Sequence, residues 1–172
     1  MNVELRRSPH FDDRPEGAKV SLIVIHAISL PPGEFGDEWI DDLFMGRLNP
    51  AAHPYFREIE GLRVSAHFVI RRDGAVIQYV PTDKRAWHAG ASSWRGRERC
   101  NDFSIGIELE GADDVPFAEP QYESLAALTN ALQARYGPLD IAGHSDIAPG
   151  RKTDPGPWFD WRRYRESILT FT

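Results

Sequence analysis

The sequence predicts an α/β fold of the α+β kind: a central mixed β-sheet flanked by helices. Three segments carry that prediction. Residues 20–25 are a nearly continuous apolar, β-branched run, the pattern of a central strand buried on both faces. Residues 104–110 alternate, with Ile105, Ile107 and Leu109 on one side and Ser104, Gly106, Glu108 and Glu110 on the other. From Pro120 to Tyr136, residues Tyr122, Leu125, Leu128, Ala131, Leu132 and Arg135 recur every three or four positions, as on one face of a helix.

The remaining elements follow in chain order. Residues 29–36 form a loop by their Pro and Gly content. Asp37 is positioned to cap a short helix whose inner face holds Trp39, Ile40, Leu43 and Phe44, with Gly46 ending it. Residues 64–71 and 75–80 read as a hairpin around Asp73-Gly74. Gly137-Pro138 stops the long helix, and residues 139–142 form a short strand that leads straight to His144. Asp160 caps a last helix with Trp161, Tyr164 and Ile168 on its apolar side.

The 172 residues suffice for one domain with a real core, spanning 1–172. A net charge of -6 argues against a general nucleic-acid binder. Residues 84–99 are locally basic, with Lys84, Arg85, Arg95, Arg97 and Arg99 against Glu98. That stretch suits either an anionic ligand or a solvated loop. Cys100 is the single cysteine, so no internal disulfide forms and a reducing compartment is expected. The first nineteen residues are polar and charged, without a signal-peptide apolar region, and no stretch approaches transmembrane length. The expectation is a cytoplasmic protein with no membrane association.

Three residues far apart in sequence have the chemistry of a metal site. His26 closes the first apolar run, His144 sits in Gly143-His144-Ser145-Asp146, and Asp154 sits in the Pro-stiffened loop RKTDPGP at 151–157. Two imidazoles and one carboxylate leave a fourth position open on Zn²⁺, as in catalytic rather than structural zinc sites. Each residue alone also has a structural reading: a strand-end core histidine, or a turn aspartate before proline. His144 and Asp154, ten residues apart, do not form a compact motif such as HExxH. Glu108 is the candidate general base, with Glu110 on the same strand face as its decoy. Lys152 could stabilise a developing oxyanion or be a solvated loop lysine. Trp87 offers a flat apolar face for a sugar ring or belongs to the core. His88 is a possible site neighbour, His67 reads as structural, and His10 and His53 as surface residues.

These segments together resemble the zinc-dependent N-acetylmuramoyl-L-alanine amidases, in particular the cytoplasmic 1,6-anhydro type, the AmpD type. More distantly they are similar to phage T7 lysozyme and the peptidoglycan recognition proteins. The matching stretches run in order from His26 to residue 157 and include GRERCNDFSIGIELEG at 96–111 and RKTDPGP at 151–157. The resemblance implies the fold of those proteins. It also implies hydrolysis of the amide between the lactyl group of 1,6-anhydro-N-acetylmuramic acid and the first L-alanine of the stem peptide. In several bacteria that reaction lowers the signal inducing β-lactamase. It further implies one zinc per chain on His26, His144 and Asp154, with Glu108 as the catalytic carboxylate and Lys152 as the transition-state lysine. Arg63, Trp87 and Arg99 fall on segments associated with substrate contact, where Arg can clamp stem-peptide carboxylates. The implied partner is an anhydro-muropeptide, with no nucleic acid, membrane or protein partner. The alternative is a non-catalytic muropeptide-binding module on the same fold. Such modules typically lack zinc ligands, whereas all three are kept here. An amidase of intact cell wall would need export.

One position departs from the pattern. The residue after the first zinc histidine is usually Asn, and here it is Ala27. A side-chain amide beside the metal is missing; the expected cost is substrate hydrogen bonding of roughly 0.5–1.5 kcal/mol, with zinc binding kept. Ala27→Asn is therefore expected to raise kcat/KM on anhydro-muropeptides; an unchanged or lower value removes position 27 from substrate contact.

Overall fold

The computed structural model describes residues 1–169. Its strands are β1 (Val3–Leu5), β2 (Phe11–Asp13), β3 (Leu22–Ile28), β4 (Phe68–Ile70), β5 (Val76–Gln78), β6 (Lys84–Ala86), β7 (Ser93–Trp94), β8 (Arg97–Glu98), β9 (Ser104–Glu110) and β10 (Asp140–Gly143). Its helices are α1 (Trp39–Phe44), α2 (Pro54–Glu58), α3 (Glu119–Tyr136), α4 (His144–Ile147) and α5 (Trp161–Ser167), with a 3₁₀ turn at Cys100–Asp102. Six strands form the main sheet in the order β1-β5-β4-β9-β3-β10. It is mixed as expected: neighbours run parallel except β4 and β5.

β3 lies between parallel neighbours β9 and β10, and residues 22–26 are all buried. The continuous apolar run thus has the place expected of it. The strand continues through Ala27 and Ile28, because these still pair with Leu109 and Glu110 of β9. His26 therefore sits inside the strand near its C-terminal end, not past it.

The alternation of β9 is real, but both of its faces are buried. Ile105, Ile107 and Leu109 pack with Leu125, Leu128 and Leu132 of α3 and with Tyr164 of α5. Truncating a fully buried leucine in such a layer costs about 2–5 kcal/mol. The opposite face is covered by a second layer. Leu22 and Val24 meet Cys100, Phe103 and Ile147 there, while Val69 and Ile77 meet Phe44 of α1 and Phe56 of α2. This front layer is made of two- and three-residue strands, short helices and loops.

Local details explain the element ends. α3 is capped by Gln121, whose Oε1 accepts the Ala118 N–H at 2.9 Å, and it stops at Gly137. Asp160 caps α5 as expected, accepting from the Arg163 N–H at 2.9 Å. Asp37 does not cap α1; Glu38 precedes the helix and gives no side-chain bond. The acidic residue that matters there is Asp41, which is buried and bound by Arg6, Arg47 and Tyr79. β4 and β5 form the expected hairpin, with Gly74 at φ +86, where a Cβ would press into the Pro120 carbonyl at 2.8 Å. Among the described residues, no helix is long and apolar enough to cross a membrane.

His67 is structural, as expected. Its Nδ1 accepts the Gly106 N–H at 3.0 Å and its Nε2–H donates to the Lys84 carbonyl at 2.9 Å. Burial lowers its pKa from 6.5 to about 3. The unfolded chain protonates this histidine near 6.5 and the folded chain resists until about 3, so the unfolded state binds more protons between those values. Its contribution to stability is present above that window and is lost as pH falls through it. In the metal-free protein, the urea midpoint should drop more between pH 7 and pH 5 for the wild type than for His67→Asn; parallel losses would contradict this.

Candidate active site

Strand register assembles the site. β3 and β9 pair with His26 opposite Glu108. β3 and β10 pair with Ile25 opposite Gly143, so His144, the next residue, arrives beside His26 at the start of α4. The loop carrying Asp154 is tied to that helix by the Ser145 N–H, which donates to the Asp154 carbonyl at 3.0 Å. The site thus lies at the C-terminal ends of parallel strands, where α/β sheets form ligand crevices.

His26, His144 and Asp154 each aim a ligand atom at one point. His26 Nδ1 and His144 Nδ1 are 3.0 Å apart. Asp154 Oδ2 is 3.2 Å from His26 Nδ1, and both Asp154 oxygens are 3.2 Å from His144 Nδ1. His144 Nε2 lies 3.1 Å from the Ala89 carbonyl, which only accepts, so that nitrogen carries the hydrogen. The neutral ring then turns a lone pair toward a carboxylate and a second imidazole. A lone pair facing a carboxylate in a buried place is repelled unless a proton or a metal cation lies between them. For a tetrahedral ion with bonds of about 2.0–2.1 Å, ligand atoms sit about 3.3 Å apart, close to the separations here. The donor set therefore fits a divalent metal and leaves room for a further ligand.

Glu108 completes the group. Its Oε1 is 3.8 Å from His26 Nδ1, and its Oε2 is buried without a hydrogen-bond partner. Burial raises its pKa well above the usual carboxylate range; the charge of Asp154 adds to this and Lys152 opposes it. Asp154 behaves oppositely. Burial pushes its pKa up, but the imidazoles of His144 and His26 beside it outweigh that and hold it below the usual range. Burial lowers the pKa of His26, and that of His88 falls well below the ordinary value for the same reason. His26 is thus available as a neutral ligand. Glu110, the decoy, points elsewhere: Arg71 Nη1 lies 3.0 Å from its Oε2, in a buried ion pair.

These facing atoms open into a cleft of about 600 Å³. Ala27, Tyr55, Trp87 and Lys152 line it, together with parts of loops 28–33 and 111–114. Lys152 is exposed at this lining. Trp87 is half-buried and its ring stacks on His10 at 6.0 Å. His10 is itself buried, with Nδ1 2.9 Å from the Val64 carbonyl, so its reading as a surface residue is corrected. The Pro beside it marks a bend into the core. His53 caps α2, its Nδ1 accepting the Tyr55 N–H.

Two arginines singled out in the sequence do not border this cleft. Arg63 is exposed and lines a smaller neighbouring hollow, one residue beyond Leu62 of the rim. Arg99 is exposed at the foot of the β7–β8 hairpin, 3.6 Å from Asp102. The basic stretch is largely paired: Lys84 with Asp13, Arg85 with Asp12 and Asp102, and Arg95 with Asp140, while Arg97 lies over the Phe103 ring. What sequence reasoning missed is Asn101, whose side chain holds the backbone of His88 and Ala89.

The family model for N-acetylmuramoyl-L-alanine amidase matches residues 16–157. The chain belongs to the N-acetylmuramoyl-L-alanine amidase family. It is 63% identical over 170 residues to the 1,6-anhydro-N-acetylmuramyl-L-alanine amidase AmpD of Citrobacter freundii, covering 96% of this chain and 91% of that one. A crystal structure of a selenomethionine AmpD derivative superposes with a TM-score of 0.95 at 60% identity, over 97% of this chain and 94% of that one. The amidase AmiD from E. coli, solved with the substrate anhydro-N-acetylmuramic acid-L-Ala-D-gamma-Glu-L-Lys, superposes with a TM-score of 0.65 at 31% identity. That match covers 91% of this chain and 62% of AmiD.

In this amidase, removing one acceptor of the three should weaken metal retention. Asp154→Ala is expected to lose its divalent ion on dialysis against buffer that leaves the wild type loaded. Full metal content in that variant would reject Asp154 as a ligand.

Proposed function

We propose that this amidase hydrolyses the amide joining the lactyl group of 1,6-anhydro-N-acetylmuramic acid to L-Ala of the stem peptide, using one zinc ion held by His26, His144 and Asp154. The substrate class is supported by the 63% identity to the C. freundii AmpD enzyme and by the anhydro-muropeptide bound in the AmiD structure. The observation that carries the reading is the meeting of three acceptors beside the buried, half-unpartnered Glu108. A binding module has no need of that carboxylate.

Zinc in this position would supply Lewis acidity, lowering the pKa of water toward about 7 and polarising the carbonyl under attack. The residues do the rest. Glu108 takes a proton from the attacking water on its unpartnered Oε2 and delivers it to the leaving nitrogen of L-Ala, so that no charged amide anion is released. Its elevated pKa suits the second step, and a cation among the neighbouring ligands draws it back toward the ionised form that the first step needs. Lys152, on the cleft lining, faces the negative charge that develops on the carbonyl oxygen. Trp87 offers an apolar surface to the sugar ring, and Arg63 and Arg99 offer guanidinium groups to stem-peptide carboxylates beyond the rim. Ala27 borders the same cleft.

The whole of residues 1–172 acts as one amidase domain in this reading. Cys100, buried and unpaired, suits a reducing compartment, and we assign the enzyme to the cytoplasm, in recycling of cell-wall fragments with an indirect effect on β-lactamase induction.

With an anhydro-muramoyl tripeptide, the purified protein should release a peptide beginning at L-Ala, detected by mass spectrometry, in a reaction stopped by a chelator and restored by zinc. Glu108→Ala should keep its zinc and lose most of this turnover. Turnover within about threefold of wild type would show that Glu108 is not the base.

A further inference from the structure

We propose that the dipeptide His88-Ala89 is a brace that orients both metal-facing imidazoles, and that Asn101 holds the brace in place. The proposal rests on the reading of His26 and His144 as metal ligands. His26 Nε2 is 2.9 Å from His88 Nδ1, and His144 Nε2 is 3.1 Å from the Ala89 carbonyl. Two adjacent residues, one by its side chain and one by its backbone, thus reach the far nitrogen of each ligand.

The direction of every bond is consistent. An imidazole that presents Nδ1 to a metal carries its hydrogen on Nε2 and needs an acceptor there. For His26 that acceptor is His88 Nδ1, so neutral His88 must carry its own hydrogen on Nε2. That atom lies 3.1 Å from Ser104 Oγ, which accepts it. For His144 the acceptor is a carbonyl oxygen. Its second lone pair is taken by Arg151, whose Nη2 donates to it at 2.7 Å.

Independent contacts hold the brace. Asn101 Oδ1 accepts the N–H of both His88 and Ala89, at 3.1 and 2.8 Å. Position 106 on β9 is glycine, and a Cβ there would stand 2.5 Å from His88 Cγ, so the ring occupies space that only glycine leaves. His67, the structural histidine, is also bonded at both nitrogens, but to backbone groups; His88 instead has one nitrogen on the imidazole of a candidate ligand, with its own backbone held beside it. His88 is therefore a positioning residue: it acts through His26 and does not touch substrate.

Asn and Leu at position 88 separate the two roles, because Asn Oδ1 and Leu Cδ1 both fall near the place of His Nδ1, and only the first accepts a hydrogen bond. Zinc affinity is measured by competition with a chromophoric chelator, on variants first shown to be folded. His88→Leu should bind zinc about 10–100-fold more weakly than wild type, the range for a lost outer partner. His88→Asn should stay within about threefold. A Leu variant within threefold of wild type, or an Asn variant as weak as Leu, overturns the brace. Should the Leu variant not fold, ¹⁵N spectra of the imidazoles in the zinc-loaded wild type decide: hydrogen on His88 Nε2 and a bare Nδ1 support the proposal, and hydrogen on Nδ1 refutes it. A wild type that binds no zinc would instead overturn the metal reading itself, with the brace falling as its consequence.

Discussion

The structure turns on two imidazole nitrogens and a carboxylate held facing one another in a place from which most water is excluded. They lie 3.0–3.2 Å apart, and His144, with its hydrogen on Nε2, turns a lone pair toward the carboxylate. Left alone, that arrangement would push the loop and the two rings apart. A divalent cation among them would turn that repulsion into attraction. Much of the surrounding fold is explained as what keeps these acceptors from separating.

The sheet supplies most of that rigidity. β3 is hydrogen-bonded on both sides, and its neighbours deliver Glu108 and His144 in fixed register, so the relative position of three of the four residues is set by backbone pairing. The fourth, Asp154, arrives on a loop anchored to α4. The same strand shows how environment separates two chemically identical side chains. Glu108 and Glu110 are two residues apart on one face, yet Arg71 neutralises Glu110 while Glu108 keeps a buried oxygen without a partner. One is tied up in an ion pair, and the other keeps the free oxygen that the proposed proton transfer requires.

Much of this was legible in the sequence, and the failures have physical causes. Long periodic segments were read well: residues 104–110 are β9 as expected, and the helix expected from Pro120 begins at Glu119. The front layer was largely missed, because two-residue strands such as β7 and β8 are too short to show a period. That omission made His10 look exposed. The metal-facing trio was weak by spacing alone, since its members meet only through tertiary register; the family resemblance singled them out, and the geometry brings them together. The basic run at 84–99 shows the reverse. It reads as a patch along the chain, but the carboxylates that pair with it come from distant segments such as Asp12, Asp13 and Asp140.

The most direct test of this account is a crystal structure of the zinc-soaked protein with anomalous data collected on both sides of the zinc edge. The account predicts one strong anomalous peak, about 2.0–2.2 Å from His26 Nδ1, His144 Nδ1 and an Asp154 oxygen. A peak elsewhere, or ligation through Nε2 of either histidine, would contradict it.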